Sequence, residues 1–139
     1  MNDFVLDASV ALRWFLDSPV PNYAERVKQS LIRGARALVP ALWHLEMSNG
    51  LAIAERRAIL SSADVNRAII AIEQLIAQAI DTENSLPGVR QSLGTARAFH
   101  LSAYDAVYLD AARQSRLPIA TVDEQLRGAA KQAGIELLR

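Results

Sequence analysis

Residues 4–16 read FVLDASVALRWFL: an apolar tripeptide, an acid and then a helical segment. The tripeptide has the length and composition of a short buried strand, and Ser9 is placed to cap a helix over 10–16 before Asp17-Ser-Pro ends it. A strand followed at once by a helix is the repeating unit of parallel α/β sheets. The stretch therefore predicts an α/β fold with its acid at the junction between strand and helix.

The same alternation continues through the remaining sequence. Apolar residues at helical spacing predict further helices over 23–32, 42–59, 61–80, 93–100, 102–115 and 124–132. Short apolar runs predict strands over 4–6, 37–39, 79–82, 118–122 and 135–138. Such strands, separated by helices, predict a three-layer α/β/α domain with a central parallel sheet, right-handed crossovers and a helical hairpin on one side.

Length and composition indicate a single globular domain over residues 1–139. The chain is 51% hydrophobic and 22% charged, and it contains no Cys, which excludes disulfides, thiolate zinc sites and cysteine nucleophiles. No run approaches the roughly 18 consecutive apolar residues of a membrane span. The apolar run near the start is too short for a signal peptide, so we expect a cytoplasmic protein with no membrane partner.

The charges balance, with 15 basic and 15 acidic residues. No global field therefore draws a polyanion to the surface, and any binding of nucleic acid must be local. All but two of the basic residues are Arg, which suits bidentate contacts with phosphate, although a GC-rich genome explains the bias equally well.

Four acids lie inside or directly after apolar segments: Asp7, Glu46, Asp105 and Asp123. An ionised carboxylate in such surroundings costs several kcal/mol unless something compensates it. In parallel α/β sheets, ligands gather beyond the carboxyl ends of the strands, where strand order reverses. One or two shared Mg²⁺ or Mn²⁺ ions would compensate four carboxylates there, and such sites support displacement at phosphorus.

Three polar residues are placed to support these acids. Ser9 is either a helix cap or a hydrogen-bond partner of the first acid, and Thr121 presents its hydroxyl on the same side of the strand as Asp123. Asn49 lies three residues after Glu46, within reach of a hydrogen bond along a helix.

Each acid also has a purely structural interpretation. Asp7 is in a suitable place to be a turn or capping residue, Glu46 to be a rim residue between core and solvent, and Asp105 to interact with the helix dipole. Asp110 has Arg113 at helical contact distance, so we interpret it as a surface ion pair outside the site.

Four segments, in order, resemble the PIN domain of VapC-type toxins: VLDASVALRWFL (5–16), VPALWHLEMSNGL (39–51), LSAYDAVYLDAA (101–112) and IATVDEQL (119–126). The resemblance spans nearly the whole chain. It implies a PIN-like fold and a Mg²⁺- or Mn²⁺-dependent endoribonuclease that is silenced by a partner antitoxin. It also implies a homodimer, and an antitoxin segment that often places an Arg near the acids.

Position by position, the resemblance assigns the metal ligands. Asp7, Glu46 and Asp105 match the three acids that hold the metal, and Asp123 matches a fourth that varies more. The supporting hydroxyl positions of the family are matched by Ser9 and Thr121. Asp110 departs from the pattern, because a small or apolar residue is usual there.

Three other functions are considered: an inactive PIN-like module and two enzyme or signalling folds of the same class. A catalytically inactive PIN-like module would bind RNA or a partner protein, although the intact acids argue against it. The two enzyme rivals of this fold class fit less well. A haloacid-dehalogenase-like phosphatase needs an acid where Ser9 stands, and a response-regulator receiver needs paired early acids and a late Lys that are missing.

Several further residues carry weaker expectations. Arg13 and Arg97 are candidates to hold the RNA backbone, and His44 and His100 are expected to be structural. The apolar stripe of the hairpin 42–80 is either core or a groove for a partner helix. Aromatic side chains are expected in the core rather than as base-stacking platforms: Trp14, Trp43, Tyr104 and Tyr108.

Overall fold

The computed structural model describes residues 2–139 and contains one parallel sheet of four short strands in the order β3-β2-β1-β4. The strands are β1 (Phe4–Leu6), β2 (Ala37–Pro40), β3 (Ile80–Glu83) and β4 (Ile119–Ala120). Val5 of the central strand pairs with Leu38 on one side and with Ile119 on the other. The predicted parallel sheet is confirmed.

Eight helices connect and flank the strands in the described part of the chain. They are α1 (Ala8–Ala11), α2 (Arg13–Leu16), α3 (Asn22–Ile32), α4 (Leu42–Arg56), α5 (Ser62–Ala79), α6 (Val89–Phe99), α7 (Ala103–Ser115) and α8 (Glu124–Gln132). The three-layer α/β/α architecture is therefore confirmed, with α4 and α5 as the helical hairpin. None of the helices in residues 2–139 combines the length and apolar character needed to cross a bilayer.

Strand order reverses between β1 and β4. The chain adds β2 and β3 successively on one side of β1 and then returns to place β4 on the other side. Leu6 lies opposite Ala120, and the amide of Asp7 donates to the Ala120 carbonyl at 3.0 Å. The residues that follow β1 and β4 are thereby brought side by side at the carboxyl edge, where α/β proteins bind ligands.

The core is built on β1, whose three residues are fully buried. Burial on both faces is expected of a central parallel strand covered by helices. Trp43 and Tyr108 are buried as predicted, and Trp14 is half-buried with its indole N–H on the Ala24 carbonyl. The prediction that Tyr104 lies in the core is wrong, because this residue is 64% exposed.

Several element boundaries differ from those predicted. The first helix begins at Ala8, so Ser9 lies inside it and is not its cap. The helix predicted over 42–59 ends at Arg56, because Ala58 adopts a left-handed conformation (φ 58°) that a helix cannot continue through. Helix α6 begins at Val89, four residues before the predicted start.

The fifth strand predicted over 135–138 is reduced to an isolated bridge between Ile119 and Leu137. Two backbone hydrogen bonds, from Ile119 to Glu136 and from Leu138 to Ile119, hold it beside β4. β4 itself is only two residues long, which leaves little edge for a longer ladder.

Two Leu-to-Ala substitutions test the central role of β1. Leu6 is fully buried and Leu86 is 87% exposed, so Leu6→Ala should lower the free energy of unfolding by about 2–5 kcal/mol. The matched control Leu86→Ala should change it by less than about 0.5 kcal/mol. Urea unfolding measures both; equal effects of the two substitutions would contradict the assigned core.

Candidate active site

Asp7 is the buried centre of the carboxyl edge. Its side chain follows β1, is only 4% exposed, and accepts two hydrogen bonds on the same oxygen, Oδ2. Ser9 Oγ and Thr121 Oγ1 donate these bonds, each at 2.7 Å. The two predicted supporting hydroxyls therefore come from different elements, α1 and the end of β4, and meet on one carboxylate.

Burial is the dominant influence on this carboxyl group. It raises the pKa of Asp7 above its usual value, and the charge of Asp123 raises it further, while the bonds from Ser9 and Thr121 act in the opposite direction. Neutral hydroxyls stabilise a carboxylate less than a cation does. Asp7 is thus an acid whose negative charge is only partly compensated by its protein partners.

Glu46 approaches from α4 and is held by a tyrosine. Tyr108 Oη donates to Glu46 Oε1 at 2.6 Å, and the amide of Ala8 donates to the same hydroxyl at 3.4 Å. Burial, followed by the charges of Asp7 and Asp105, raises the pKa of Glu46. Tyr108 thereby links the start of α1 to α4.

The sequence did not indicate this role of Tyr108, because an aromatic residue at helical spacing is normally interpreted as part of the hydrophobic core. Its burial is as predicted, but its hydroxyl needs a partner inside the protein, and that partner is a site acid. The expected partner of Glu46, Asn49, is instead exposed and makes no hydrogen bond with it in the described residues.

Gly50 lies one turn beyond Glu46 and keeps α4 close to α1. A Cβ atom built on this residue would stand 2.6 Å from a methyl group of Leu12, closer than real contacts allow. The absence of a side chain lets Leu12 pack against the α4 backbone. The two helices that carry Glu46 and flank Asp7 can therefore approach each other.

Asp105 lies in the first turn of α7, whose N-cap is Ser102 as predicted. The Ser102 hydroxyl accepts the Asp105 amide at 3.1 Å. Partial burial, and then the charges of Asp123 and Asp7, raise the pKa of Asp105 to about 6. The interaction with the helix N-terminus is present, but it does not outweigh desolvation and repulsion.

Asp123 follows β4 and caps α8. Its Oδ1 accepts the Leu126 amide at 2.9 Å, and its own amide donates to Thr121 Oγ1 at 3.0 Å. Thr121 therefore contacts both Asp7 and Asp123, and Arg127 Nη1 holds the Thr121 carbonyl at 2.8 Å. One buried threonine fixes the relative positions of two strand-end acids.

The four acids form one electrostatic cluster. Asp123 and Asp7 each raise the pKa of Asp105, and Asp7 and Asp105 each raise the pKa of Glu46. No salt bridge in residues 2–139 involves any of the four. Like charges that share a site without a counterion favour binding of a cation.

The donor chemistry of the cluster fits Mg²⁺ or Mn²⁺, since every donor is an oxygen. Their arrangement is open: within residues 2–139, no three His, Cys, Asp or Glu side chains are grouped closely enough to hold a metal ion as they stand. Two of the acids are turned aside, Glu46 to Tyr108 and Asp123 to the first turn of α8. A shared ion would require the acids to draw closer together, and each of these bonds occupies only one carboxylate oxygen, Glu46 Oε1 or Asp123 Oδ1.

Asp110 does not form the predicted ion pair with Arg113. Thr95 Oγ1 donates to both of its carboxylate oxygens, at 2.9 and 3.1 Å, and so joins α6 to α7. The guanidinium of Arg113 lies over the ring of Phe99, 5.7 Å from its centroid. Thr95 is buried, and a buried hydroxyl competes well for a nearby carboxylate.

The remaining predicted residues, two arginines and two histidines, have different surroundings. Arg13 is paired with Asp17 at 3.1 Å, whereas Arg97 is exposed in the last turn of α6. His44 Nε2 is hydrogen-bonded to Thr82 Oγ1 at 2.8 Å. The left-handed conformation of His100 (φ 56°) ends α6. His44 thus joins α4 to β3, and His100 forms the C-cap of α6 through its backbone, with its side chain exposed.

Comparisons with known proteins agree with this architecture. A family model described as PIN domain matches residues 4–132. The fold is similar to that of PAE2754 from Pyrobaculum aerophilum, with a TM-score of 0.66 and 22% identity over 92% of this chain and 79% of that one. It is also similar to FitAcB from Neisseria gonorrhoeae, with a TM-score of 0.69 and 19% identity over 98% of this chain and 96% of that one. No curated protein matches the sequence.

The pH dependence of stability tests the electrostatic cluster without metal. The pKa of Asp105 is raised from 3.8 to about 6, so the folded protein binds more protons than the unfolded chain in this interval. Its contribution to stability is fully present below about pH 3.8 and is lost as pH rises through about 6. Asp105→Asn should therefore become more stable relative to the unaltered protein as pH rises from 4 to 7.

The gain should be about 1–2 kcal/mol, after allowance for solvent screening of a half-exposed side chain. Urea unfolding in EDTA at several pH values measures it. Glu73→Gln, which alters an exposed acid on α5, is the control and should track the unaltered protein. A constant difference between Asp105→Asn and the unaltered protein across this range would contradict the cluster.

Proposed function

This chain belongs to the PIN domain family, and we propose that it is a Mg²⁺- or Mn²⁺-dependent endoribonuclease that acts as the toxin of a toxin-antitoxin pair. PIN domains are generally nucleases and typically use divalent metal ions. The observation that carries the proposal is the buried carboxylate of Asp7, whose charge its protein partners only partly compensate, within a cluster of four acids. Such a cluster destabilises the folded protein unless a cation binds there.

The proposed metal-holding residues are Asp7, Glu46, Asp105 and Asp123. A bound divalent ion supplies charge neutralisation at the phosphate and activates the attacking water for hydrolysis of the RNA phosphodiester bond. Ser9 and Thr121 keep Asp7 oriented, because both bonds fall on Oδ2 and restrict rotation of the carboxylate. Tyr108 holds Glu46 near the other acids through its short hydrogen bond.

Asp105 has a second property that suits this role. With a pKa of about 6, it exchanges its proton close to neutral pH when no cation is present. Binding of a cation favours the ionised carboxylate and releases that proton. Affinity of the site for metal should consequently fall as the solution becomes acidic.

Partners follow from the same proposal. We propose an RNA substrate, a cognate antitoxin protein that silences the enzyme, a homodimer and a cytoplasmic location. Support for a protein partner comes from the hairpin, where α4 exposes Leu45 and α5 exposes Ile69 and Ile70. Apolar side chains exposed on neighbouring helices are typical of surfaces that bind a partner helix.

The alternative is a catalytically inactive PIN-like module that binds RNA or protein. It retains the fold but gives the four acids no chemical task. In that case neutralising an acid would leave RNA cleavage and any growth inhibition unchanged. The two functions therefore differ in the behaviour of single Asp-to-Asn variants.

Neutralising the central acids tests the proposed function. Asp7→Asn and Asp105→Asn keep the size of the side chain but remove the charge that a cation needs, so each should lower cleavage at least ~100-fold. The measurement is sequencing of the 5′ ends of cellular RNAs after brief expression, with growth followed in parallel.

Glu73→Gln on the exposed face of α5 is the matched control and should cut RNA as the unaltered protein does. Circular dichroism shows that each variant is folded. Persistent cleavage and growth inhibition by both Asp-to-Asn variants would overturn the proposal in favour of the inactive module.

A further inference from the structure

Tyr104 is an exposed aromatic residue beside the acidic cluster. It immediately precedes Asp105 in the first turn of α7 and is 64% exposed. No hydrogen bond involves its hydroxyl group within the described residues. Its aromatic ring is therefore free to contact a ligand that binds at the neighbouring carboxylate of Asp105.

The helix places this ring on the side of Glu46. Tyr104 precedes Tyr108 by four residues, so the two side chains lie on the same side of α7, one turn apart. Tyr108 reaches inward to contact Glu46, and helical side chains lean towards the N-terminus of their helix. The Tyr104 ring is therefore on the same side of α7 as Tyr108, one turn nearer the helix N-terminus, and it is exposed to solvent.

Two other acids of the cluster also follow exposed apolar residues in the chain. Leu45 precedes Glu46 and is 71% exposed, and Val122 precedes Asp123 and is 38% exposed. Each of these acids is therefore preceded in the chain by an exposed apolar side chain, whereas the acids themselves are half-buried or buried. Tyr104 is the aromatic member of this set, and its flat ring is the one suited to stack on a flat, uncharged group.

Electrostatic attraction alone does not hold a nucleic acid at this edge. The chain has no net charge, and the acids repel phosphate groups until a cation neutralises them. Several basic residues are already engaged within the protein, including Arg13 with Asp17 and Arg36 with Asp81. A contact that carries no charge adds to binding without opposing the acids, and stacking of a base on an aromatic ring is such a contact.

We propose that the exposed ring of Tyr104 stacks on an unpaired nucleobase next to the phosphodiester bond that is cut. The proposal rests on the proposed nuclease function and adds the residue that holds this base. An unpaired base presents the free face that stacking needs, whereas a base inside a duplex is covered by its neighbours. Tyr104 is a substrate-binding residue, and the acids remain the groups that act on the phosphate.

The test uses the full chain, Mn²⁺ and a 12-nucleotide single-stranded RNA centred on the strongest cut site found in cells. Steady-state cleavage is measured for the unaltered protein, Tyr104→Ala, Tyr104→Phe and the control Val89→Ala. Val89 is an apolar residue that is 82% exposed at the first residue of α6, and it is not adjacent in the chain to any of the four acids. Thermal melts verify folding of each variant.

Tyr104→Ala should lower kcat/KM about 10-fold, mainly through KM, because it removes a stacking contact. Tyr104→Phe, which keeps the ring, and Val89→Ala should remain within about twofold of the unaltered protein, since neither loses that contact. A second substrate lacks the base on one side of the cut. On that substrate the kcat/KM of the unaltered protein should fall by the same 10-fold. The kcat/KM of Tyr104→Ala should fall little further, because both changes remove the same interaction.

Unchanged cleavage by Tyr104→Ala would overturn this inference while leaving the nuclease function intact. Equal losses on the abasic substrate for both proteins would also overturn it, by placing the base elsewhere. Loss of antitoxin binding by Tyr104→Ala without any effect on cleavage would assign the ring to a protein contact instead. If the unaltered protein cut no RNA, the proposed function would fall, and this inference with it.

Discussion

The carboxylate of Asp7 at the point where strand order reverses is the constraint on which the rest of the site depends. A nearly fully buried acid needs hydrogen-bond donors, and here two hydroxyls from separate elements supply them on a single oxygen. Ser9 can reach it only because α1 begins directly after β1. Thr121 can reach it only because β4 lies beside β1. Sheet topology and side-chain chemistry are therefore coupled at this residue.

The same topology makes the site electrostatically costly when no cation is bound. Burial and mutual repulsion raise the pKa values of Asp7, Glu46 and Asp105. Neutral donors such as Tyr108 hold the acids in place without cancelling their charge. The protein thus keeps a concentrated negative charge at one edge of its sheet, at a cost in stability.

Much of this arrangement follows from the sequence, because an acid directly after a short apolar run is easily recognised. Asp7 and Asp123 each close a short apolar run, and a parallel sheet brings such ends together by its geometry. The second strand end was predicted with the correct helix, α8, after it. The direction of the Thr121 side chain was also predictable, since side chains alternate between the two faces of a strand.

Other contacts depend on tertiary packing that local spacing does not encode. The sequence allows Ser9 to be either a helix cap or a partner of the first acid, because it does not show that α1 begins at Ala8 and leaves the Ser9 hydroxyl to Asp7. The partner of Glu46 is 62 positions away in the chain, so sequence proximity favoured Asn49 over Tyr108. Asp110 was assigned to Arg113 for the same reason, whereas Thr95 on the neighbouring helix is its partner. Tyr104 was wrongly assigned to the core. Helical spacing predicts the direction of a side chain but not whether a neighbouring element covers it.

Direct titration with Mn²⁺, followed by loss of the free-ion signal in electron paramagnetic resonance, tests the central claim that the four acids form one cation site. The unaltered protein should bind Mn²⁺ saturably, Mg²⁺ should compete, and Asp7→Asn should bind at least ~10-fold more weakly, because a primary ligand is lost. Glu73→Gln should bind as the unaltered protein does. Undiminished Mn²⁺ binding by Asp7→Asn, or no saturable binding by the unaltered protein, would contradict the account.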